Sequence, residues 1–223
     1  VTQLRTGAAT GAAFDLLAKK DSRIGALIGT GGQAATQLEA MVTVRDLEEV
    51  RVFDMNPERT KAFAEQMNEE LKAYGTKIIA AASSDEAVEG ADLLVTVTPS
   101  SKPVFDASKV KAGATISCVG AYQPHMQEMD PAILLRASKI YFDSEEAVLS
   151  ESGDILIPLD EGIITKDDFT GDLGQVIKGE IPGRENDEEI IVFETVGVAT
   201  QDLIAAKAIY DKAKEAGIGM IWG

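Results

Sequence analysis

A glycine-rich segment that follows an apolar run is the first place where this sequence could bind a ligand. The segment fits the spacing G-x-G-x-x-G/A and follows the short apolar run Ile24–Ile28. In that pattern the first glycine permits a tight turn, the second lets a pyrophosphate approach the backbone, and a small sixth residue lets the next helix pack closely. Free N–H groups at the start of that helix attract anions. We therefore predict a dinucleotide site at Gly29, Gly31, Gly32, Gln33 and Ala34; the alternative is a tight turn that binds nothing.

An acidic residue after a second apolar run supports this interpretation. Asp54 directly follows Arg51-Val52-Phe53. A carboxylate at the end of this strand accepts hydrogen bonds from the adenosine ribose and repels a 2′-phosphate, so we expect NAD rather than NADP. Arg59 leaves two alternatives open, because an arginine after this acid either holds a 2′-phosphate or is an ordinary solvated helix residue.

The single cysteine and the single histidine exclude several other chemistries. Cys118 lies in an apolar run, where a small buried thiol is favoured over a nucleophile. His125 has no Cys or His neighbour in the sequence, so we predict no metal site. It is either a surface turn residue or a titrating group near the mouth of the site.

The composition and charge narrow the class of protein. The chain has 223 residues, 45% of them hydrophobic, with a net charge of −16 and a mean hydropathy of −0.00. These values are typical of a globular protein. The acidic balance argues against nucleic acids and anionic membranes as partners. No apolar run is long enough to span a membrane and no signal peptide opens the chain, so we expect a cytoplasmic location.

Apolar runs alternate with helical patterns along most of the chain, which predicts an α/β protein with a Rossmann-like, doubly wound and mostly parallel sheet. The predicted strands are Ile24–Ile28, 51–53, Lys77–Ala80, 93–97, 115–119, Lys139–Phe142 and 189–193. The predicted helices are 4–20, 33–44, 56–74, Ser84–Val88, 130–136, 144–149, Leu173–Ile177 and 201–216.

Three segments need separate interpretations. The first helix is expected to pack through Leu4, Ala8, Ala12, Leu16 and Leu17, and the last through Leu203, Ala206, Ile209, Tyr210 and Ala213.

Residues 151–189, which are acidic and rich in Gly and Pro, are either an excursion near the site mouth or a mobile solvated loop. We divide the chain into a linking helix (1–22), an NAD-binding Rossmann domain (23–199) and a C-terminal helix (200–223).

Four further motifs are not general features of dinucleotide-binding proteins. They are Leu4-Arg5-Thr6-Gly7-Ala8-Ala9, Val97-Thr98-Pro99-Ser100, Val119-Gly120-Ala121, and Gly183-Arg184-Glu185-Asn186-Asp187-Glu188-Glu189-Ile190 leading to Gly197. With these motifs in order, the chain resembles the ornithine cyclodeaminase/mu-crystallin family over essentially its whole length. The family contains cyclodeaminases, alanine dehydrogenases, ketimine reductases and opine-type enzymes.

The resemblance implies roles for individual residues. Arg5 matches the arginine that meets the substrate carboxylate, which suits the two-pronged guanidinium group, and Val196 matches a substrate contact. The implied cofactor contacts are Thr6, Gly32, Gln33, Asp54, Thr96, Thr98, Gly120, Ala121 and Thr195.

One departure from the family bears on the reaction. Cyclodeaminases have an aspartate two residues after the equivalent of Gly120, where this chain has Tyr122, and Met126 replaces a family lysine. Tyr122 either donates a proton to an imine nitrogen or walls the pocket. The resemblance thus implies NAD-dependent hydride transfer at the α-carbon of a small amino or imino acid. The alternatives are an ornithine cyclodeaminase and a non-catalytic, crystallin-like binding protein.

The resemblance also concerns the rest of the protein. The family is homodimeric, and an N-terminal substrate and dimerisation domain precedes the nucleotide-binding domain. That domain is absent from this chain, which begins at Val1 without an initiator Met. We therefore expect a fragment or a natural truncation that binds cofactor and is inactive alone.

Overall fold

Short runs of aliphatic residues form a single parallel sheet. The structure is a computed structural model that describes residues 1–220. The strand order is β3-β2-β1-β4-β5-β8-β6-β7, and every strand pair is parallel. The strands are β1 (Ile24–Ile28), β2 (Glu49–Phe53), β3 (Lys77–Ala80), β4 (Leu93–Thr96), β5 (Thr115–Cys118), β6 (Lys139–Phe142), β7 (Gly171–Asp172) and β8 (Ile191–Glu194).

Helices connect these strands and cover the sheet. They are α1 (Thr2–Leu17), α2 (Ala34–Val44), α3 (Pro57–Glu70), α4 (Ser84–Val88), α5 (Ala132–Arg136), α6 (Glu145–Glu151), α7 (Gly153–Asp160), α8 (Leu173–Ile177) and α9 (Ala199–Glu215), with short 3-10 turns at Lys72–Tyr74, Ala107–Lys109 and Lys166–Asp168. All residues of β4, β5 and β8 are buried, as expected for strands covered on both faces. The prediction of an α/β, Rossmann-like parallel sheet is confirmed.

The order in which strands are added to the sheet reverses between β1 and β4, which is its topological switch point. From β1 the chain winds outward to β2 and β3, and from β4 it winds the other way to β5. Ligands of such sheets bind at the carboxyl ends of the strands beside this point. The last strand in sequence, β8, inserts between β5 and β6, so the segment after Glu194 reaches the same edge.

Residues 151–189 are structured rather than a mobile loop. Helix α7 buries Gly153, Asp154, Ile155 and Pro158, and β7 pairs with β6 at the edge of the sheet. The helix predicted at Leu173–Ile177 is confirmed as α8. Within this segment Glu151 lines the large cleft at the carboxyl ends of the strands, and Gly171–Asp172 adds one short strand to the sheet.

The face through which α1 packs differs from the prediction. Leu4, Ala8 and Leu16 are exposed, whereas small residues together with Ala13, Phe14 and Leu17 are buried. Gly7 allows α2 to approach closely, because a Cβ there would lie 2.6 Å from the carbonyl oxygen of Thr36. The contact between α1 and α2 thus depends on small residues, not on the exposed leucines.

The last helix, α9, has no buried residue among Ala199–Glu215. Leu203 and Tyr210, expected on its packed face, are exposed. The division into 1–22, 23–199 and 200–223 stays a prediction, and its residues 221–223 lie outside the described part of the chain. Across residues 1–220, no helix is both long enough and apolar enough to cross a membrane.

Candidate active site

One large cleft runs along the carboxyl ends of the parallel strands and has a volume of about 940 Å³. It follows the turns after β1, β2, β4, β5 and β8, and the start of α1 forms part of its wall. Most of the residues predicted for the site line this cleft: Arg5, Thr6, Gly29, Gly31, Gly32, Gln33, Asp54, Arg59, Thr98, Gly120, Tyr122, Thr195 and Val196. The cleft also has apolar wall residues that sequence analysis missed, among them Phe53, Met55, Val97 and Val119.

The glycine turn has the geometry that a phosphate group requires. Gly29 has a positive φ of 104°, and a Cβ there would lie 2.7 Å from the carbonyl oxygen of Val97. The Gly29 N–H donates to the carbonyl oxygen of Phe53 at 2.8 Å, which joins the turn to β2. In contrast, a Cβ at Gly31 would meet no atom within 4 Å. The space above Gly31 is open cleft in front of the N-terminus of α2, so these residues fit a bound pyrophosphate.

Asp54 lies at the end of β2 with both carboxylate oxygens engaged. Oδ2 accepts from the N–H and hydroxyl of Thr30 at 3.1 and 3.0 Å, and Oδ1 accepts from Asn56 N–H at 3.0 Å. Arg59 Nη2 lies 2.5 Å from each oxygen. Burial opposes ionisation of Asp54, but the donors from Asn56, Arg59 and Thr30 outweigh it and lower the pKa. Asp54 is therefore a carboxylate that is paired with the guanidinium group of Arg59.

Arg5, which belongs to α1, lies at the end of the cleft opposite Asp54. Its guanidinium group packs against Gly197, where any Cβ would collide with it. Nη1 donates to Gln201 Oε1 at 3.4 Å, and Nε lies 3.4 Å from Asp202 Oδ2. Both contacts are long, so they orient the guanidinium without occupying its donors tightly. The side chain is 13% exposed, which suits capture of a carboxylate.

The turn after β8 completes that end of the cleft. The Thr195 hydroxyl donates to Asp143 Oδ2 at 2.6 Å, and the Gly197 N–H donates to the same oxygen at 2.7 Å. Asp143 thereby holds Val196 between two anchored neighbours. Tyr122, from the turn after β5, is 51% exposed and lines the cleft as well. Arg5, Thr195 and Tyr122 therefore line the same cleft.

The residue pattern and the fold have a counterpart in a known family. Residues 1–217 match the model of the ornithine cyclodeaminase/mu-crystallin family. The chain belongs to this family. Because the match is nearly continuous, the expectation drawn from the four motifs is confirmed.

The chain is also similar to individual known proteins. The chain is 41% identical to a Δ1-pyrroline-2-carboxylate reductase of Bacillus cereus over 98% of its own length and 66% of that protein. It is 38% identical to an alanine dehydrogenase of Archaeoglobus fulgidus, again over 98% of its length and 65% of that protein. The structure of the Thermococcus litoralis Δ1-pyrroline-2-carboxylate reductase in complex with NADH and L-proline is 41% identical and superimposes with a TM-score of 0.94, covering 99% of this chain and 67% of that one. The chain thus spans about two thirds of the length of its relatives.

Three residues predicted as cofactor contacts do not line the cleft. Ala34 packs in the hydrophobic core at the start of α2, where its small side chain permits close packing of helix on strand. Thr96 is fully buried and Ala121 is 1% exposed. The two single residues considered for other chemistries lie apart from the cleft as well. Cys118 is buried, which raises its thiol pKa, and His125 is exposed and does not line the cleft.

A group of buried acids lies beneath the cleft, and sequence analysis missed it. Glu128, Asp154 and Glu194 are all fully buried. Burial and the nearby Asp154 raise the pKa of Glu128 to about 8, although bonds from Thr98 and Gly120 oppose the rise. Burial likewise raises the pKa of Asp154 to about 7 and that of Glu194 well above its ordinary value. No local pattern marks these positions, because the three acids come from separate segments of the chain.

The same acids bear on the prediction of no metal site. Cys118, Asp154 and Glu194 each place one potential ligand atom within 4.8 Å of the others. In the described part of the chain, Asp154 Oδ2 and Glu194 Oε2 have no hydrogen-bond partner. The absence of a metal stays a prediction.

Proposed function

We propose that this chain is the nucleotide-binding part of an NAD-dependent reductase that converts a small imino acid to the amino acid. The observation that carries the proposal is the cleft itself. It places an open glycine turn and Asp54 at one end and Arg5 at the other, with Tyr122 where cyclodeaminases have an acid. The cleft therefore offers adjacent binding positions for a dinucleotide and a small carboxylate.

The residues present fit NAD as the cofactor. Gly31, Gly32 and Gln33 would hold the pyrophosphate at the N-terminus of α2, and Asp54 would accept the ribose hydroxyls. Thr6, Thr98, Gly120 and Thr195 would border the nicotinamide end, while Ala34, Thr96 and Ala121 support these contacts from behind the wall. NADH, when bound, supplies the hydride for the imine carbon.

Substrate binding falls to Arg5, Tyr122 and Val196. Arg5 offers two parallel N–H donors to the planar carboxylate and thereby fixes the orientation of the imine. Val196 excludes water from the apolar ring of the substrate, and Tyr122 walls the pocket with its ring while its hydroxyl can protonate the nitrogen. A carboxylate at position 122, which an ornithine cyclodeaminase would use as acid and base, is absent.

The substrate class follows from the relatives together with the site. Two of the relatives described above reduce Δ1-pyrroline-2-carboxylate by name, and one was solved with L-proline. We propose a cyclic imino acid of this size as the substrate and L-proline as the product. The archaeal alanine dehydrogenase neighbour is a dimer, and the exposed apolar residues of α9 fit a homodimer of this protein too.

The test is a comparison of three reactions with the intact protein. We expect NADH oxidation, followed at 340 nm as an absorbance loss, with Δ1-pyrroline-2-carboxylate. We expect slower oxidation with pyruvate plus ammonia, the alanine dehydrogenase reaction. Release of ammonia from ornithine without net NADH consumption would instead identify a cyclodeaminase. Tight NADH binding with no turnover of any of these substrates would favour a non-catalytic binding protein.

A further inference from the structure

Glu128 connects two turns of the cleft wall from behind. Its Oε1 accepts from the Thr98 N–H at 2.5 Å, and its Oε2 accepts from the Gly120 N–H at 2.6 Å. Oε2 also accepts from the hydroxyl of Thr96 at 3.2 Å. The turn after β4 and the turn after β5 are therefore held by the two oxygens of a single fully buried side chain.

The shape of the turns is adapted to this contact. A Cβ at position 120 would collide with both Glu128 Oε2 and the Thr98 carbonyl oxygen. Gly120 is thus required by the approach of Glu128 and the neighbouring turn. This explains a glycine that the family resemblance associates with cofactor.

Glu128 is itself fixed by its surroundings. Asp154 Oδ1, from α7, accepts from the N–H groups of Glu128 and Met129 at 2.7 and 2.8 Å. The Glu128 carbonyl oxygen accepts from the Val104 N–H at 2.8 Å, and Gln127 N–H donates to the Ser100 carbonyl oxygen at 2.9 Å. The position of the Glu128 carboxyl group is therefore determined by the segment after β4 and by α7, not by the flexible end of a side chain.

We propose that Glu128 is a positioning residue for hydride transfer, which sets the spacing of Thr98 and Gly120 at the nicotinamide end of the cleft. The inference rests on the proposed function, and it adds a residue that does not line the cleft. Rates of such reactions are sensitive to displacements of about 1 Å, whereas the binding energy of the dinucleotide comes mainly from the N-terminus of α2 and from Asp54.

The test variant is Glu128→Gln in the intact protein. The amide keeps the size of the side chain but has one acceptor oxygen, so its NH2 group must face one of the two N–H donors. We expect the amide hydrogens of Thr98 and Gly120, followed by NMR without cofactor, to exchange about tenfold faster or more. We expect kcat with the imino acid to fall about ten- to hundredfold, with NADH affinity within about threefold of the wild type because the glycine turn is intact.

Asp92→Asn is the matched control. Asp92 is likewise a buried acid that accepts from two backbone amides, Arg23 N–H at 2.8 Å and Ile24 N–H at 3.0 Å, but at the amino ends of β1 and β4. It should lose stability to a similar degree while the exchange at Thr98 and Gly120, and kcat, stay at wild-type values. If Asp92→Asn lowers kcat as much as Glu128→Gln, the effect is a general loss of stability and the proposal is overturned.

The remaining outcomes separate this proposal from the proposed function. Unchanged exchange at Thr98 and Gly120 in Glu128→Gln overturns the positioning, whatever the protein catalyses. If the wild type reduces no imino acid, the proposed function fails, and positioning for hydride transfer fails with it even when the exchange is faster. Should Glu128→Gln not fold, Thr96→Val removes one donor to the same carboxyl group, and it must raise exchange at Gly120 and lower kcat for the proposal to stand.

Discussion

Two glycines of the same turn are required for opposite reasons. Gly29 has a positive φ and lies against the backbone of Val97, so the fold itself requires it. At Gly31, a Cβ would have no neighbour within 4 Å, so the fold tolerates a side chain there. We propose that a bound ligand is the reason for the glycine at position 31, and this can be measured.

We expect Gly31→Val to abolish NADH binding while the fold survives, because the branched side chain occupies the space for the pyrophosphate. NADH fluorescence titration and urea unfolding measure the two effects. Gly174→Val is the matched control, since Gly174 also faces open space but lies on α8, outside the cleft. Normal NADH titration of Gly31→Val would show that the turn is structural.

We propose that Asp54 and Arg59 together determine cofactor choice. In Asp54→Asn the carboxylate that holds Arg59 is lost, so the guanidinium becomes available for a 2′-phosphate. We expect the ratio of NADPH to NADH affinity to rise on the order of tenfold or more, measured by titration with both cofactors. Asp106→Asn, a change at an exposed turn, should leave the ratio unchanged. A wild type that binds NADPH as tightly as NADH would refute the assignment of Asp54.

Arg5→Lys tests the substrate end. Lysine keeps the charge but loses the two-pronged geometry, and a charged hydrogen bond contributes about 1.5–3 kcal/mol. We expect kcat/KM for the imino acid to fall roughly ten- to hundredfold at saturating NADH in the intact enzyme, with little change in NADH affinity. Arg23→Lys, at the opposite edge of the sheet, is the control. An equal loss of NADH affinity in Arg5→Lys would remove Arg5 from the substrate site.

At the level of elements, the pairing of α1 with α2 connects the two ends of the cleft. Helix α1 carries Arg5 and Thr6, while the N-terminus of α2 faces the open space above Gly31. Their separation depends on Gly7, because its missing side chain lets the Thr36 carbonyl approach. Small residues in α1 therefore set how closely this helix, which carries Arg5, approaches α2.

Gly7→Ala tests this pairing against Gly11→Ala. A Cβ at position 7 would lie 2.6 Å from Thr36 O, whereas one at position 11 would lie 3.4 Å from the Cβ of Ala40, an ordinary contact. We expect Gly7→Ala to lower the free energy of unfolding by about 1–3 kcal/mol and Gly11→Ala to leave it unchanged or raise it by up to about 1 kcal/mol. Urea unfolding measures both, and equal effects would mean that α1 adjusts freely.

At the level of the whole molecule, buried acids link stability to pH. In the unfolded chain Glu128, Asp154 and Glu194 lose their protons near pH 4. The folded protein retains them to higher pH, since burial raises the pKa of Glu128 to about 8 and that of Asp154 to about 7. The folded state thus binds more protons over this range, and the free energy of unfolding falls as pH rises. Asp54 and Asp92, whose pKa values are lowered, act oppositely and lose their contribution in acid.

We expect the free energy of unfolding to be roughly 3–5 kcal/mol lower at about pH 8 than at about pH 5.5, because Glu128 and Asp154 keep their protons over much of this range and each fully retained proton corresponds to about 1.4 kcal/mol per pH unit. Urea unfolding at both values measures the difference. Glu194→Gln removes one of the titrating groups and should reduce the slope. A protein that is more stable at the higher pH would contradict the buried, protonated state of these acids.

Local patterns in the sequence determined much of this protein. The glycine turn, Asp54 after β2 and the alternation of strands with helices are each encoded by residues that are neighbours in the chain, so spacing alone identifies them. The motifs around Arg5 and Gly197 identified the family for the same reason. Even so, these patterns indicate which segments form helices and strands, and they give little information about which side chains are buried.

Only the tertiary structure decided the contacts between distant segments. The packed face of α1 depends on the approach of α2, and the place of β8 between β5 and β6 depends on pairing with strands far away in the sequence. Glu128 is the clearest case, because its partners Thr98 and Gly120 belong to two different strand ends. A buried acid is stable only where donors from several segments converge, and that convergence is a property of the folded chain.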